Sequence, residues 1–399
     1  MTCEVAVMNK RGIALAADSA VTLTAGNGEK KKIYYTAEKL FALCPELPVA
    51  VMAYGPADIM GVPWETVVKS YAQKLAGKRF DTLEEYALDL FRFMEGAGWL
   101  FPPETQRQYV KSLVHSAWSN LYRDEMKATE TKDRKRSWKA VMLELSGLIE
   151  RDQEQWSEYA DLETVPPDYG SRVLATYEDV LNEAEEAVFA GLNLPPGLSA
   201  ALRVTACFLY QKAWFHPQDH GHLVIAGMGE AEAFPVLLEY SVGTVAAGTL
   251  RYRKDDESRS GAESDAFVIP FAQDDLIHTV IEGIHPRVYR QFIEHAVRWR
   301  PKGTRRKKSK SEALEAQEAK LALEIHETVL TPYFKPFMAA VSALPRQDLA
   351  RMAEALVNLT AFLMHMTADE DETVAEPIDV ALLSKGDGFV WFRHKEVGR

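Results

Sequence analysis

The stretch MTCEVAVMNKRGIALAADSAVTLT, residues 1–24, decides the fold. Residues 2–8 alternate apolar and polar side chains, which is the two-residue period of a β-strand. The group NKRG that follows has turn chemistry, and residues 13–24 return to an apolar strand pattern. We therefore predict a β-hairpin at the start of the chain, with Thr2 at its first position and Asp18 inside its second strand.

Composition restricts the class of protein and its partners. The 399 residues are 47% hydrophobic and 26% charged, which is typical of a globular protein, and the net charge of −12 argues against nucleic acid as the main partner. The three widely spaced cysteines form neither a disulfide framework nor a zinc pattern and suit a reducing compartment. The first residues lack a basic, apolar signal sequence, and no apolar run is long enough for a membrane span. We therefore expect a cytoplasmic protein that does not bind a membrane.

The rest of the chain alternates between sheet-rich and helix-rich segments. Strands are predicted at 38–43 and 47–55, and helices at 63–76 and 81–96, the second with Asp81 as its N-cap. Residues 104–215 have a helical composition, broken by two Pro-Pro pairs. Beyond them we predict strands at 222–229, 233–240, 243–252 and 265–272, a polar loop KDDESRSGAESD, helices at 274–298, about 312–330 and 346–366, and two final strands, EPIDVALLSK and GFVWFRHK.

This order is not the regular strand–helix alternation of a parallel sheet. Two antiparallel sheets covered by helices fit it better. The predicted division is a first half of a sandwich at 1–103, a helical insertion at 104–221, the second half of the sandwich at 222–294, a basic loop with a second helical insertion at 295–345, and a helix with the closing strands at 346–399.

Thr2 suggests a specific chemistry. A threonine hydroxyl is a poor nucleophile, but an N-terminal threonine carries its own base, the free α-amine, whose pKa is ordinarily about 7.7–8.0. Removal of Met1 would expose that amine. A lysine nearby would stabilise negative charge on the hydroxyl, Asp18 could balance that lysine, and the turn around Val51–Gly55 could supply a backbone N–H to the oxyanion. The candidate lysines are Lys31, Lys32 and Lys39, of which Lys39 precedes an apolar strand.

These residues resemble the start of proteasome β-subunits and their simpler bacterial relatives, the N-terminal nucleophile (Ntn) hydrolases of the threonine peptidase kind. The resemblance rests on Thr2, followed in order by ALAADS (14–19), EKLFAL (38–43) and VAVMAYGPAD (49–58), and on DETVAEPIDVALLSKGDG (371–388) near the end of the chain. It implies that Thr2, Asp18, Lys39 and Asp371 are catalytic and that the Val51 backbone contributes to the oxyanion site.

The resemblance also implies a fold and an activity. The fold is an α+β protein, an αββα four-layer Ntn-hydrolase sandwich with a large helical insertion. The activity is a threonine-type endopeptidase or amidohydrolase that cleaves peptide bonds by acyl transfer through Thr2, within a homo-oligomer that is a ring or a related assembly. Neither a cofactor nor a metal is expected. The resemblance covers residues 2–95, 222–252 and 368–395.

The chain departs from the family pattern at several positions, which leaves alternatives open. Val374 stands where the family has a serine, Ala272 or Gln273 replaces another serine, and Val51 replaces a glycine. One alternative is a small-molecule amidohydrolase on the same fold. The other is a catalytically silent, self-assembling scaffold protein.

Two further motifs allow either a structural or a functional interpretation. The stretch HPQDHGH contains His216, Asp219, His220 and His222, and a polar loop is favoured over a metal cluster because no matching ligand set appears elsewhere. The basic run Arg298–Lys310 is more typical of a solvated loop or a contact to an acidic neighbour than of a nucleic-acid site.

Overall fold

The structure is a computed structural model of the chain, and it is a mixed helix-and-sheet protein with two five-stranded sheets. It describes residues 3–24, 31–34, 37–130, 137–190, 192–216, 220–261, 264–272, 274–298, 319–366 and 377–395. Within these ranges, no helix combines the length and the apolar character that crossing a membrane requires.

The first sheet is built around the predicted hairpin. Strand β1 (Cys3–Asn9) pairs antiparallel with β2 (Gly12–Asp18), in the register Glu4 to Ala17, so the hairpin prediction is confirmed. The predicted second strand is shorter than expected, because Val21–Thr24 is a separate strand, β3, paired with β4 (Lys31–Tyr34). The sheet is completed by β12 (Ala266–Ala272) beside β1, and by β13 (Ile378–Ser384) beside β2 with β14 (Gly388–Arg393) at its edge.

The second sheet contains the strands on either side of the helical segment. Its order is β11-β10-β9-β6-β5, where β5 is Leu40–Ala42, β6 is Val49–Tyr54, β9 is Gly221–Gly227, β10 is Val236–Ala246 and β11 is Thr249–Arg259. A minor hairpin joins β7 (Asp58–Ile59) and β8 (Val62–Pro63). The predicted polar loop is wrong in its first half, because KDDESR belongs to β11. Charged side chains are common on such an edge strand, since they discourage pairing with another chain.

The two sheets share one apolar core. Along β6, Ala50 and Met52 pack with Ala6 and Met8 of the first sheet, whereas Val49 and Val51 face the opposite way. This alternation follows from the two-residue period of a strand. Both faces of the central strands are therefore covered, which explains why their sequences are almost continuously apolar.

Helices cover the outer faces. Helices α1 (Trp64–Leu75) and α2 (Leu83–Gly96) pack on the second sheet, and α8 (Asp275–Glu282), α11 (Thr331–Ala343) and α12 (Arg346–Met366) pack on the first. Helix α9 (Pro286–Arg298) follows α8, and α10, described over 319–325, runs through a π-helical turn (His326–Leu330) into α11. The predicted cap of α2 is wrong by one residue: Thr82 is the N-cap, in a reciprocal capping box with Glu85.

The helical segment between α2 and β9 has its own apolar core. It contains α3 (Pro103–Glu130), α4 (Trp138–Glu158), α5 (Tyr169–Thr176), α6 (Glu178–Val188) and α7 (Pro196–Gln211). It contacts the turn between β10 and β11, where the Tyr169 hydroxyl donates to the carbonyl oxygens of Ala246 and Thr249. The buried Arg251 guanidinium donates to the carbonyl oxygens of Lys212 and Trp214, so one side chain of β11 fixes the end of this segment.

Candidate active site

Asp18 lies at the end of β2 and has three hydrogen-bond donors. Its Oδ1 accepts from the Cys3 amide at 3.0 Å and from Lys39 Nζ at 2.6 Å, and its Oδ2 accepts from the Ala20 amide at 2.9 Å. Asp18 as a whole is 1% exposed, so these donors replace water around its charge. The carboxylate therefore connects the first residue of β1, the end of β2 and the lysine that precedes β5 of the second sheet.

Lys39 is held between two carboxylates. Besides Asp18, the Glu4 carboxylate lies 3.2 Å from its ammonium, and all three side chains are buried. Glu4 faces the core between the sheets because it alternates along β1 with Cys3 and Val5, which face the helices. The Ala53 amide donates to the Lys39 carbonyl oxygen at 2.8 Å, which fixes the lysine backbone beside β6.

The protonation state of Lys39 follows from this arrangement. Burial alone would lower its pKa, but the carboxylates of Glu4 and Asp18 outweigh burial and raise the pKa above its ordinary value. Lys39 is therefore a permanent cation near neutral pH. It can stabilise negative charge, but it cannot accept a proton as a general base.

Cys3 is a core residue and not a nucleophile. Its side chain packs with Val5 and with α12 in the apolar cluster under the helices. Burial, followed by the nearby Glu4 carboxylate, raises the pKa of its thiol far above the ordinary range, so the thiolate does not form. Cys3 is therefore a strand residue whose side chain points away from Asp18 and Lys39.

The other predicted site residues divide into two groups. Thr2, Asp371 and Val374 lie outside the described residues, as do Gln273 and the side chains of Lys31 and Lys32. Their roles stay predictions, as do the catalytic roles of Asp18 and Lys39, although the structure brings these two together. Ala272 is the last residue of β12, opposite Cys3, with a φ angle of 61°. It brings no hydroxyl to this end of β1.

The prediction for Val51 is corrected by its position. Val51 lies in the middle of β6, opposite Phe41 of β5 on one side and Ile225 of β9 on the other. An amide in the interior of a sheet is directed at a neighbouring strand, so it is not available to an oxyanion. The open part of the predicted turn is its end, at Tyr54 and Gly55, where β6 finishes.

Sequence reasoning missed a second ionic group beside the first. Lys395 Nζ donates to Ser19 Oγ at 3.1 Å and to the Ala37 carbonyl oxygen, and it lies 3.3 Å from Asp379 Oδ2. Asp379 also accepts from the Lys395 amide and contacts His394 Nδ1 at 3.1 Å. This group fixes the residues that follow Asp18 and those that precede Lys39. Glu4 of the first ionic group was missed as well. A charged residue within an apolar strand indicates a buried ion pair, so the sequence did contain a signal for it.

The histidine-rich stretch contributes one residue to a cluster in the second sheet. His222, Glu239 and Asp255 bring their ligand atoms within 4.8 Å of one another. His220 packs against His222 at a ring distance of 4.8 Å, and its Nδ1 contacts the His216 carbonyl oxygen at 2.7 Å. Asp219 lies outside the described residues. The cluster that forms is therefore different from the one that the sequence motif suggested.

Comparison with known proteins gives little further information. No family model and no curated protein matches the chain. Among solved structures, the chain is similar to "Anbu (Gly-1) mutant from Hyphomicrobium sp. strain MC1", with 11% sequence identity and a TM-score of 0.24, over 100% of this chain and 87% of that one. A TM-score of this size does not establish a common fold.

Proposed function

We propose that the chain is an Ntn-type hydrolase on an αββα four-layer sandwich, with Thr2 as its nucleophile once Met1 is removed. The observation that carries the proposal is the buried group of Glu4, Asp18 and Lys39 at the start of β1. Burial of three charges costs desolvation free energy, and apolar residues would stabilise the same space at least as well. A functional role would explain why the three charges are present. The Cys3 amide, which is bonded covalently to residue 2, donates to Asp18 and so limits how far Thr2 can lie from the group.

The proposed mechanism divides the work among these groups. The Thr2 α-amine takes the proton of the Thr2 hydroxyl, and Oγ attacks the substrate amide carbon to form a tetrahedral oxyanion. Lys39 stays protonated and stabilises negative charge on Oγ. The amine then gives its proton to the leaving nitrogen as the C–N bond breaks. Water hydrolyses the resulting ester and restores the hydroxyl. Asp18 and Glu4 keep Lys39 charged and in position, and Asp371 is a further candidate in this site.

The proposed substrate is a peptide, and the working form is a homo-oligomer in the cytoplasm. Self-association is supported by apolar side chains that are more than half exposed on α9, α11 and α12, namely Val288, Phe292, Tyr333, Phe362 and Met366. Burial of such side chains is the usual driving force for association. A small-molecule amide is the alternative substrate.

The catalytically silent scaffold is the second candidate function. It is favoured by Ala272, which stands at the end of β12 without a hydroxyl, and by Val374 in the sequence. The two functions share a fold, but only the hydrolase requires a free α-amine on Thr2.

A covalent probe separates them. A peptide epoxyketone requires both a hydroxyl and the adjacent free amine to form its stable ring adduct. We expect the intact mass of the untagged protein to lack Met1, and we expect one probe equivalent to attach to Thr2. Thr2→Ala should abolish labelling, whereas Thr2→Ser should retain it because both reacting groups remain. Retention of Met1, or labelling that is unchanged in Thr2→Ala, contradicts the hydrolase proposal.

A further inference from the structure

Three side chains from three neighbouring strands converge on one face of the second sheet. His222 comes from β9, Glu239 from β10 and Asp255 from β11, and their ligand atoms all lie within 4.8 Å of one another. Glu239 faces the core between the sheets, as Leu237 does two residues earlier. The cluster therefore lies on the inner face of the second sheet.

A β-bulge lies at Asp255, where β11 has one residue more than β10. In the ladder between β10 and β11, Glu239 is opposite Asp256 and Tyr240 is opposite Lys254, so Asp255 is the extra residue of a β-bulge. A bulge changes the direction of a side chain, and bulges are common beside functional sites. Ser241 is opposite Arg253, so Asp255, two residues further along β11, lies on the same face as Ser241 and Glu239.

Each of the three side chains is held by a supporting contact. Asp255 accepts from Ser241 Oγ at 2.5 Å through Oδ2 and from Arg253 Nε at 2.7 Å through Oδ1. The Tyr54 hydroxyl donates to Glu239 Oε1. The Tyr54 ring also stacks on the His222 ring, with centroids 4.5 Å apart and planes 6° from parallel. Such supporting contacts fix the orientation of metal ligands in known sites.

One nitrogen of this cluster lacks a hydrogen bond. His222 Nδ1 is buried and has no hydrogen-bond partner within the described part of the chain. The nearest carboxylate oxygen, Asp255 Oδ2, is 3.9 Å away, which is too far for a hydrogen bond. A buried polar atom without a partner requires an explanation, and an ion between the three side chains would supply one.

We propose that His222, Glu239 and Asp255 bind a divalent transition-metal ion. One imidazole nitrogen and two carboxylates form a mixed N/O ligand set, which suits Zn²⁺ or Mn²⁺ better than Ca²⁺ or Mg²⁺, which prefer oxygen alone. Three protein ligands leave at least one coordination position for water or for a ligand. The proposal does not depend on Thr2, because none of its ligands belongs to the Glu4, Asp18 and Lys39 group.

Titration of the metal-free protein tests this site. After dialysis against a chelator, the full-length protein is titrated calorimetrically with Zn²⁺ and, separately, with Co²⁺, whose visible spectrum reports its coordination. We expect one equivalent to bind. His222→Ala should weaken binding by more than the roughly 10- to 100-fold that loss of a supporting residue costs. His220→Ala is the matched control, because it removes the adjacent imidazole and should bind like the wild type.

A second variant protects the test against unfolding. Glu239→Gln keeps an acceptor for the Tyr54 hydroxyl and nearly the same shape, but it removes one charge, so it should fold and bind more weakly. Absence of stoichiometric binding to the wild type overturns the proposal. So does wild-type affinity in a folded Glu239→Gln or His222→Ala variant, or an equal loss in His220→Ala.

Discussion

Lys39 Nζ lies 2.6 Å from Asp18 Oδ1, and this contact joins the two sheets. Asp18 ends β2 of the first sheet, whereas Lys39 immediately precedes β5 of the second. Because Glu4 of β1 contacts the same ammonium, one cation holds two carboxylates at the edge of the shared core. The proposed catalytic group is therefore also a structural connection, and its removal should affect stability and turnover together.

Lys39→Ala should destabilise the protein by about 3–5 kcal/mol, because it leaves two buried carboxylates without their cation. Chemical denaturation followed by circular dichroism measures this loss. Lys69→Ala is the control, since Lys69 also contacts two carboxylates, Glu38 and Glu65, but is 51% exposed. It should cost no more than about 1 kcal/mol. Equal losses in the two variants would show that the Lys39 group is not a buried network.

The stability contributed by Lys39 should depend on pH only at alkaline values. Its pKa is raised in the folded state, so the contribution is fully present below the unfolded pKa, about 10.4, and is lost as pH rises above that value. The free-energy difference between the wild type and Lys39→Met should therefore stay constant from pH 7 to 10 and then narrow. Denaturation curves of both proteins from pH 7 to above pH 10 test the direction of this pH dependence. A free-energy difference that narrows below pH 9 would contradict it.

Arg251→Met should loosen the attachment of the helical segment. The substitution leaves the partly buried carbonyl oxygens of Lys212 and Trp214 without their donor, at up to about 1–3 kcal/mol for each group. We expect limited proteolysis to cut near residues 212–216 more rapidly than in the wild type. Arg259→Met on the same strand removes only contacts to Glu232 and Glu257 near the surface and should leave the digestion pattern unchanged.

Two glycine substitutions should change stability in opposite directions. Gly227 has a φ of 147°, and an added Cβ would lie 1.9 Å from the Pro48 carbonyl oxygen, so Gly227→Ala should cost about 3 kcal/mol or more. Gly147 lies within α4 and has nothing within 4 Å of such a Cβ. Gly147→Ala should therefore stabilise by up to about 1 kcal/mol. Thermal unfolding of both variants checks the two signs.

Local sequence pattern was sufficient for the parts of the fold that depend on neighbouring residues. The alternation in residues 2–8 predicted β1, and the apolar positions of residues 63–76 predicted α1, because strand and helix periods are properties of short segments. Asp18 and Lys39 were recognisable because Asp18 is a charged residue within an apolar strand and Lys39 immediately precedes another.

Contacts between distant residues could not be predicted in the same way. Lys395 and Ser19 are 376 positions apart, and nothing in either segment indicates the other. The bulge at Asp255 depends on the register between β10 and β11, and the polar composition of KDDESR hid the second half of β11. Val51 was misassigned because the sequence does not show where β6 ends. Only amides beyond the end of the strand remain free of hydrogen bonds to neighbouring strands.

The contacts around the end of β2 bring the two ends of the described chain together. Cys3 donates to Asp18, and Lys395 donates to the adjacent Ser19. A circular permutant that joins the original ends by a short linker and opens the chain at the exposed turn Ala76–Gly77 should therefore keep the sheets and their ionic groups. In that protein the amino group of Thr2 would be part of a peptide bond. A folded permutant that had lost turnover would separate the chemistry of the free amine from the architecture that surrounds it.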